Sequence, residues 1–126
     1  MKTEILREKY QKYNLTKDDV FKHQHYIIIT RSGIEKIMAL EDIGMTFEVI
    51  KCEKDFCVVK AQASKAEVEI QTFGSALKGD FKSGTTNSWY VMEMAEKRAM
   101  SRAVLKLTGF YELGVFSEDE SEEFKR

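Results

Sequence analysis

The sequence predicts an α+β domain in which a three- or four-stranded antiparallel sheet packs against one long helix, with short helices at the N-terminus. Two patterns carry that prediction. Apolar and polar residues alternate through successive runs between Met45 and Phe73, as strands with one buried face require. A longer run, Trp89 to about Leu107, then repeats alanines and aliphatics at helical spacing. The 126 residues suit one domain, placed at 1–117, with an acidic tail at 118–126.

Taken in order, Thr3 to Tyr13 sets Ile5, Leu6, Tyr10 and Tyr13 along one side of a short helix whose other positions are mostly charged. Asn14 ends it. Thr16, with Asp19 three residues later, is close to a capping box with a shorter acid and predicts a second brief helical turn. Tyr26 to Thr30 is short and β-branched, hence strand-like. Ser32 is placed to cap a helix over Gly33 to Glu41, where Ile34, Ile37 and Met38 recur at helical spacing. Met45 to Lys51 and Phe56 to Ala63 flank the polar turn Glu53-Lys54-Asp55 and read as a hairpin, and Ala66 to Phe73 reads as a third antiparallel strand. Gly74 to Thr86 holds three of the seven glycines and reads as a mobile linker. Asn87 or Ser88 then caps the long helix, and Gly109 terminates it.

Composition removes several classes of function. The 20 basic and 21 acidic side chains give a net charge of −1, which excludes a polybasic protein that grips nucleic acid by bulk charge. The total conceals a division, however, because residues 1–111 carry a net +3 and the remainder a net −4. No apolar run reaches the roughly 18 residues of a membrane span, and the N-terminus has no signal-peptide core, so a soluble, cytoplasmic protein is expected. In that compartment Cys52 and Cys57 are thiols. There is no phosphate-binding Gly-rich loop with its lysine, no Gly-x-Ser-x-Gly and no His-Glu-x-x-His, so neither an enzyme nor a cofactor is expected. His23 and His25 with the two cysteines supply the count for a zinc site but lack its tight knuckle, and no metal is expected.

The residues that point to a function lie in the long helix and the loop before it. Arg98, Arg102 and Lys106 form an i, i+4, i+8 row at the margin of the small-residue face, where guanidinium groups can fork onto phosphate oxygens. Lys78 and Lys82 sit in the glycine-bearing loop. Between Lys78 and Lys106 there are six basic residues and three acidic ones. Trp89, Tyr90, Phe81 and Phe73 flank the loop and helix start, with Trp89 best placed to stack a base. The plain alternative for the row is a solvated helix edge with a Glu93 and Lys97 pair.

The string Ala95-Glu-Lys-Arg-Ala-Met-Ser-Arg-Ala-Val-Leu-Lys-Leu-Thr-Gly109, preceded by strands and Asn87-Ser-Trp-Tyr and followed by a tyrosine and an acidic stretch, resembles the helix of Rad52-like single-strand annealing proteins, the superfamily of phage recombination proteins. The likeness covers about fifteen residues in letters and about residues 26 to 117 in element order. It implies a curved sheet backed by a long helix, assembly into a homo-oligomer, and single-stranded DNA as partner. The family's Lys-Arg-Ala falls on Lys97, Arg98 and Ala99, so the resemblance gives Lys97 and Arg98 a DNA-backbone role, with Arg102 beside them. The hairpin departs from the family's more basic pattern, since Lys51, Lys54 and Lys60 are offset by Glu48, Glu53 and Asp55. The expected interface is thus Lys97, Arg98, Arg102, Lys106, Lys78, Lys82 and Trp89, and the expected activity is strand annealing in recombination. The acidic tail is expected either to compete with DNA for the basic row or to dock a recombination or replication protein. The rival reading is a small adaptor whose basic helix meets an acidic protein partner.

Overall fold

A computed structural model of the chain describes residues 2–79, 84–86 and 89–120. Its elements run α1 (Lys2–Lys12), β1 (Val20–His23), β2 (Tyr26–Ile29), α2 (Arg31–Glu41), β3 (Gly44–Cys52), β4 (Phe56–Lys65), β5 (Val68–Leu77), α3 (Val91–Leu107), a 3-10 turn (Tyr111–Leu113) and β6 (Val115–Ser117). The class is α+β, with α3 laid on an antiparallel sheet of order β3-β4-β5. A second sheet, of order β1-β2-β6, adds to the expected architecture; β1 and β2 are antiparallel, and β6 runs parallel to β2.

The small residues of α3 set its depth on the sheet. Ala95, Ala99 and Ala103 are fully buried, and Gly74 of β5 lies directly beneath them. A Cβ at Gly74 would stand 2.5 Å from the Ala99 nitrogen and closer still to the Ala95 carbonyl oxygen, so only glycine admits the helix at this height. Two apolar clusters result. Cys57, Val59, Ala76, Val91 and Ala95 close the N-terminal end of α3 on the sheet. At its C-terminal end Ala103, Val104 and Leu105 meet Leu6 and Tyr13, Ile29, Ile34 and Ile37, Phe110 and Val115.

Several local expectations change. The segment after Thr16 forms a turn instead of a helix: the Asp19 carboxylate accepts from the Thr16 amide at 2.9 Å, and β1 begins at the next residue. The Thr30 hydroxyl, two residues ahead of the expected Ser32, caps α2 by accepting from the Gly33 amide at 3.3 Å. Gly74 to Leu77 belongs to β5 and not to a linker. Helix α3 starts at Val91, and the expected caps Asn87 and Ser88 lie outside the described residues. Gly109 follows the helix with φ +80, the left-handed conformation anticipated for its terminator.

Two carboxylates, buried Asp19 and half-buried Glu41, tie α2 in place. Asp19 receives Lys36 Nζ at 2.6 Å; burial alone would raise its pKa, but the hydrogen bonds from Lys36, Thr16 and Ser32 hold it at about 2. Glu41 receives Lys65 at 2.8 Å, Lys12 at 3.0 Å and the Tyr13 hydroxyl at 2.9 Å. The Lys65 contact is the largest cause and, with Lys12 and Tyr13, overcomes burial to bring Glu41 to about 2. Among the described residues no helix is long and apolar enough to cross a membrane.

Candidate nucleic-acid interface

Burial alternates along β4 and β5, which defines the two faces of the larger sheet. Cys57, Val59, Ala61 and Ala63, with Thr72 and Ala76, turn toward α3 and are buried. The intervening residues turn outward and face solvent, Phe73 retaining 49% of its surface and Leu77 36%. Cross-strand register places Lys60 between Phe73 and Glu48, and Phe56 beside Leu77. The Lys51 ammonium lies 6.0 Å from the centre of the Phe56 ring. Aromatic and lysine side chains are therefore interleaved on an open sheet face.

The densest such grouping is at one end of the sheet. The main chain of Lys78, just past β5, donates to the Asp55 carbonyl at 2.7 Å, which fastens the strand end to the β3–β4 turn. That bond brings Lys54 and Lys78 to the same indole: their ammonium groups lie 5.4 and 4.7 Å from the Trp89 ring centre, within cation–π range. Trp89 is 58% exposed, and the neighbouring Tyr90 is exposed as well. An exposed indole with two cations on it combines a stacking surface with phosphate-directed charge.

The arginines of α3 are placed differently from the expected phosphate-facing row. Arg98 is only 1% exposed. Its Nε donates to the Asp119 carbonyl at 3.0 Å, Nη1 to the Ser75 carbonyl at 2.8 Å and Nη2 to the Thr85 carbonyl at 2.9 Å. In the folded chain this guanidinium is a clamp joining β5, the loop before α3 and the C-terminal segment, and its burial corrects the expectation of a DNA-backbone contact. Arg102 donates to the Phe73 carbonyl at 2.8 Å and pairs with Glu120 at 3.1 Å. Lys97 is half-buried on α3, while Lys106 is exposed and sits 5.3 Å from the Tyr111 ring. The 17 residues of α3 put Lys106 about 25 Å from the Trp89 end by helical rise.

The segment expected to be a free acidic tail begins inside the domain. Asp119 and Glu120 are 6% and 3% exposed. Asp119 accepts from Arg31 at 3.1 Å and from the Ser101 hydroxyl at 3.0 Å, and Glu120 accepts from Ser117 as well as Arg102. The rest of the tail, like Lys82 and Phe81, lies outside the described residues.

Of the seven expected interface residues, the fold thus unites Lys78 and Trp89 and adds Lys54, a hairpin residue the sequence offered only as a lysine balanced by acids. Comparison with protein-family models, with curated proteins and with solved structures returns no match.

Proposed function

We propose that the chain binds single-stranded DNA and promotes annealing of complementary strands in recombination, acting as an oligomer without a cofactor. The observation that carries the binding step is the exposed Trp89 flanked by the Lys54 and Lys78 ammonium groups. A base stacks on the indole irrespective of its identity, and the two lysines hold the phosphates on either side. Contacts of this kind leave the hydrogen-bonding edges of the bases open to a complementary strand, the property annealing needs. The open sheet face with Phe73, Phe56, Lys60 and Lys51 extends the same chemistry beyond the cluster. Annealing and assembly rest on the resemblance of the Ala95 to Gly109 string.

The test is fluorescence anisotropy with a labelled mixed-sequence single strand at low and moderate salt. Binding is expected at low salt and weakens as salt rises. Replacing Trp89 by alanine removes a stacking contribution of about 1–3 kcal/mol, roughly a 5- to 150-fold loss of affinity. Absence of binding at low salt refutes the proposal.

One observation favours a protein partner, seated on an apolar strip and not on the basic helix of the adaptor reading. On the α3 side of the sheet, the edge strand β3 leaves Phe47 and Val49 40% and 51% exposed. A protein partner whose own apolar surface covers this strip predicts capture that survives Trp89→Ala and is abolished by Phe47→Asp.

A further inference from the structure

Cys52 ends β3 and Cys57 stands one residue into β4, and the two are direct cross-strand partners. The turn between them determines what kind of pair they form. The Glu53 amide donates to the Phe56 carbonyl at 2.7 Å, which makes 53 and 56 the hydrogen-bonded pair at the hairpin end. The adjacent pair, 52 and 57, is then a non-hydrogen-bonded one, the class in which Cα atoms approach to about 4.5 Å and side chains lie closest. That separation falls within the roughly 4.4–6.8 Å that a disulfide spans. Both cysteines are thiols here. Cys52 is exposed, whereas Cys57 is fully buried among Val59, Ala76, Val91 and Ala95.

We propose that Cys52 and Cys57 close into a reversible intrachain disulfide, a redox-sensitive staple across the end of the β3–β4 hairpin. The reaction has a defined order because only one sulfur is reachable. The Cys52 thiolate attacks a small-molecule disulfide such as oxidised glutathione, forming a mixed disulfide and releasing one glutathione thiolate. Cys57 then gives up its proton and attacks the Cys52 sulfur, expelling the second glutathione as thiolate. Two protein thiols lose two protons and two electrons, and the glutathione disulfide is reduced to two thiols. Burial, with the hydrogen bond to Cys52 adding to it, pushes the Cys57 thiol up to about 11, so the second step is the slower one and quickens in mild alkali. The staple fixes the turn that carries Lys54 and the Asp55 carbonyl bound by Lys78, so it bears on one edge of the Trp89 cluster.

The experiment treats the reduced full-length protein with oxidised glutathione at mildly alkaline pH. The product is denatured in acid, alkylated with a maleimide and weighed intact. The expected product is a monomer two hydrogens lighter than the reduced chain, with no maleimide and no glutathione attached, and dithiothreitol restores two reactive thiols. Cys57→Ser is expected to stop at one retained glutathione on Cys52. If that variant does not fold, the wild-type mass decides alone. A wild-type protein that keeps its glutathione, that still alkylates at either cysteine after prolonged exposure, or that links into covalent dimers overturns the proposal.

Discussion

Replacing Arg98 by alanine separates a structural role for this residue from a DNA-binding one. The guanidinium is 1% exposed and donates to three main-chain carbonyls, those of Ser75, Thr85 and Asp119. A buried acceptor left without its donor costs about 1–3 kcal/mol. Water can reach Thr85 and Ser75 more readily than Asp119, which places those two near the lower bound. The sum, with the packing lost from the side-chain stem, is about 3–5 kcal/mol. That is a large part of the roughly 5–15 kcal/mol by which a domain is stable. For a chain of this size each kilocalorie moves Tm by about 4 °C, so a fall of about 12–20 °C is expected.

The assay is thermal and urea unfolding followed by far-ultraviolet circular dichroism, with Arg98→Lys alongside. Lysine keeps the charge and reaches one carbonyl but cannot fork to three, and its loss should be intermediate. Single-strand affinity is measured well below the variant's Tm, where the folded fraction keeps its Trp89 cluster and should bind nearly as the parent does. A stability loss under about 1 kcal/mol, accompanied by loss of binding, refutes the clamp argument and returns Arg98 to the phosphate contacts implied by resemblance.

Two further outcomes follow from the packing and charge. Gly74→Ala forces a methyl group against the main chain of Ala95 and Ala99, which cannot rotate away, and should cost about 3 kcal/mol or more, whereas Ser75→Ala on the open face should stay within about 0.5 kcal/mol; equal urea midpoints for the two would contradict the close approach of α3. Asp19 and Glu41, each held at about 2 in the fold, ordinarily titrate at 3.8 and 4.5, so their stabilisation is complete above those ordinary values and drains away as pH falls toward about 2. Acid unfolding should therefore shift to higher pH in Lys36→Met and Lys65→Met, each of which removes a cation from one carboxylate, and an unchanged acid midpoint in both would count against these pairs.

What the sequence made legible were elements long enough to show a period. The β3–β4 hairpin, β5 and α3 each repeat their pattern over nine or more residues, and they form close to where the pattern puts them. Strands β1 and β6 have four and three residues, too few for alternation to register, and β6 exists because its parallel pairing with β2 completes a sheet. Gly74 read as a loop residue since glycine marks turns more often than close helix contacts; the signal that identifies it is the row of alanines on the helix it meets. Nor can a helical row of arginines declare which way it faces. Arg98 lies on the same stripe as Ala95 and Ala99, the face that α3 turns to the sheet, and it is buried with them. Lys54 and Trp89 are far apart in sequence and meet where the Lys78 to Asp55 bond joins the end of β5 to the β3–β4 turn.

The charge asymmetry consequently has a different meaning from the one its arithmetic first implied. Arg31, Arg98 and Arg102 all turn to the 118–120 segment, through carboxylates or a main-chain carbonyl, so part of the basic excess of residues 1–111 is matched inside the domain by the acids that follow it. Lysines remain at the open sheet and its Trp89 end, and two of these already pair with glutamates, Lys51 with Glu53 and Lys60 with Glu48, both at 3.2 Å. Exposed pairs of that kind contribute at most about 1 kcal/mol and yield readily to phosphate. On the proposed mode of binding, between two and four lysines per chain would displace counterions from a single strand. With a slope of about −0.7 per phosphate, log affinity should fall by about 1.4–2.8 for each tenfold rise in salt. Titrations across a salt series check this directly. A slope per chain near zero would mean that the indole and phenyl groups bind alone, and one much steeper than about −3 would require the arginines of α3 to leave their carbonyl and carboxylate partners for DNA.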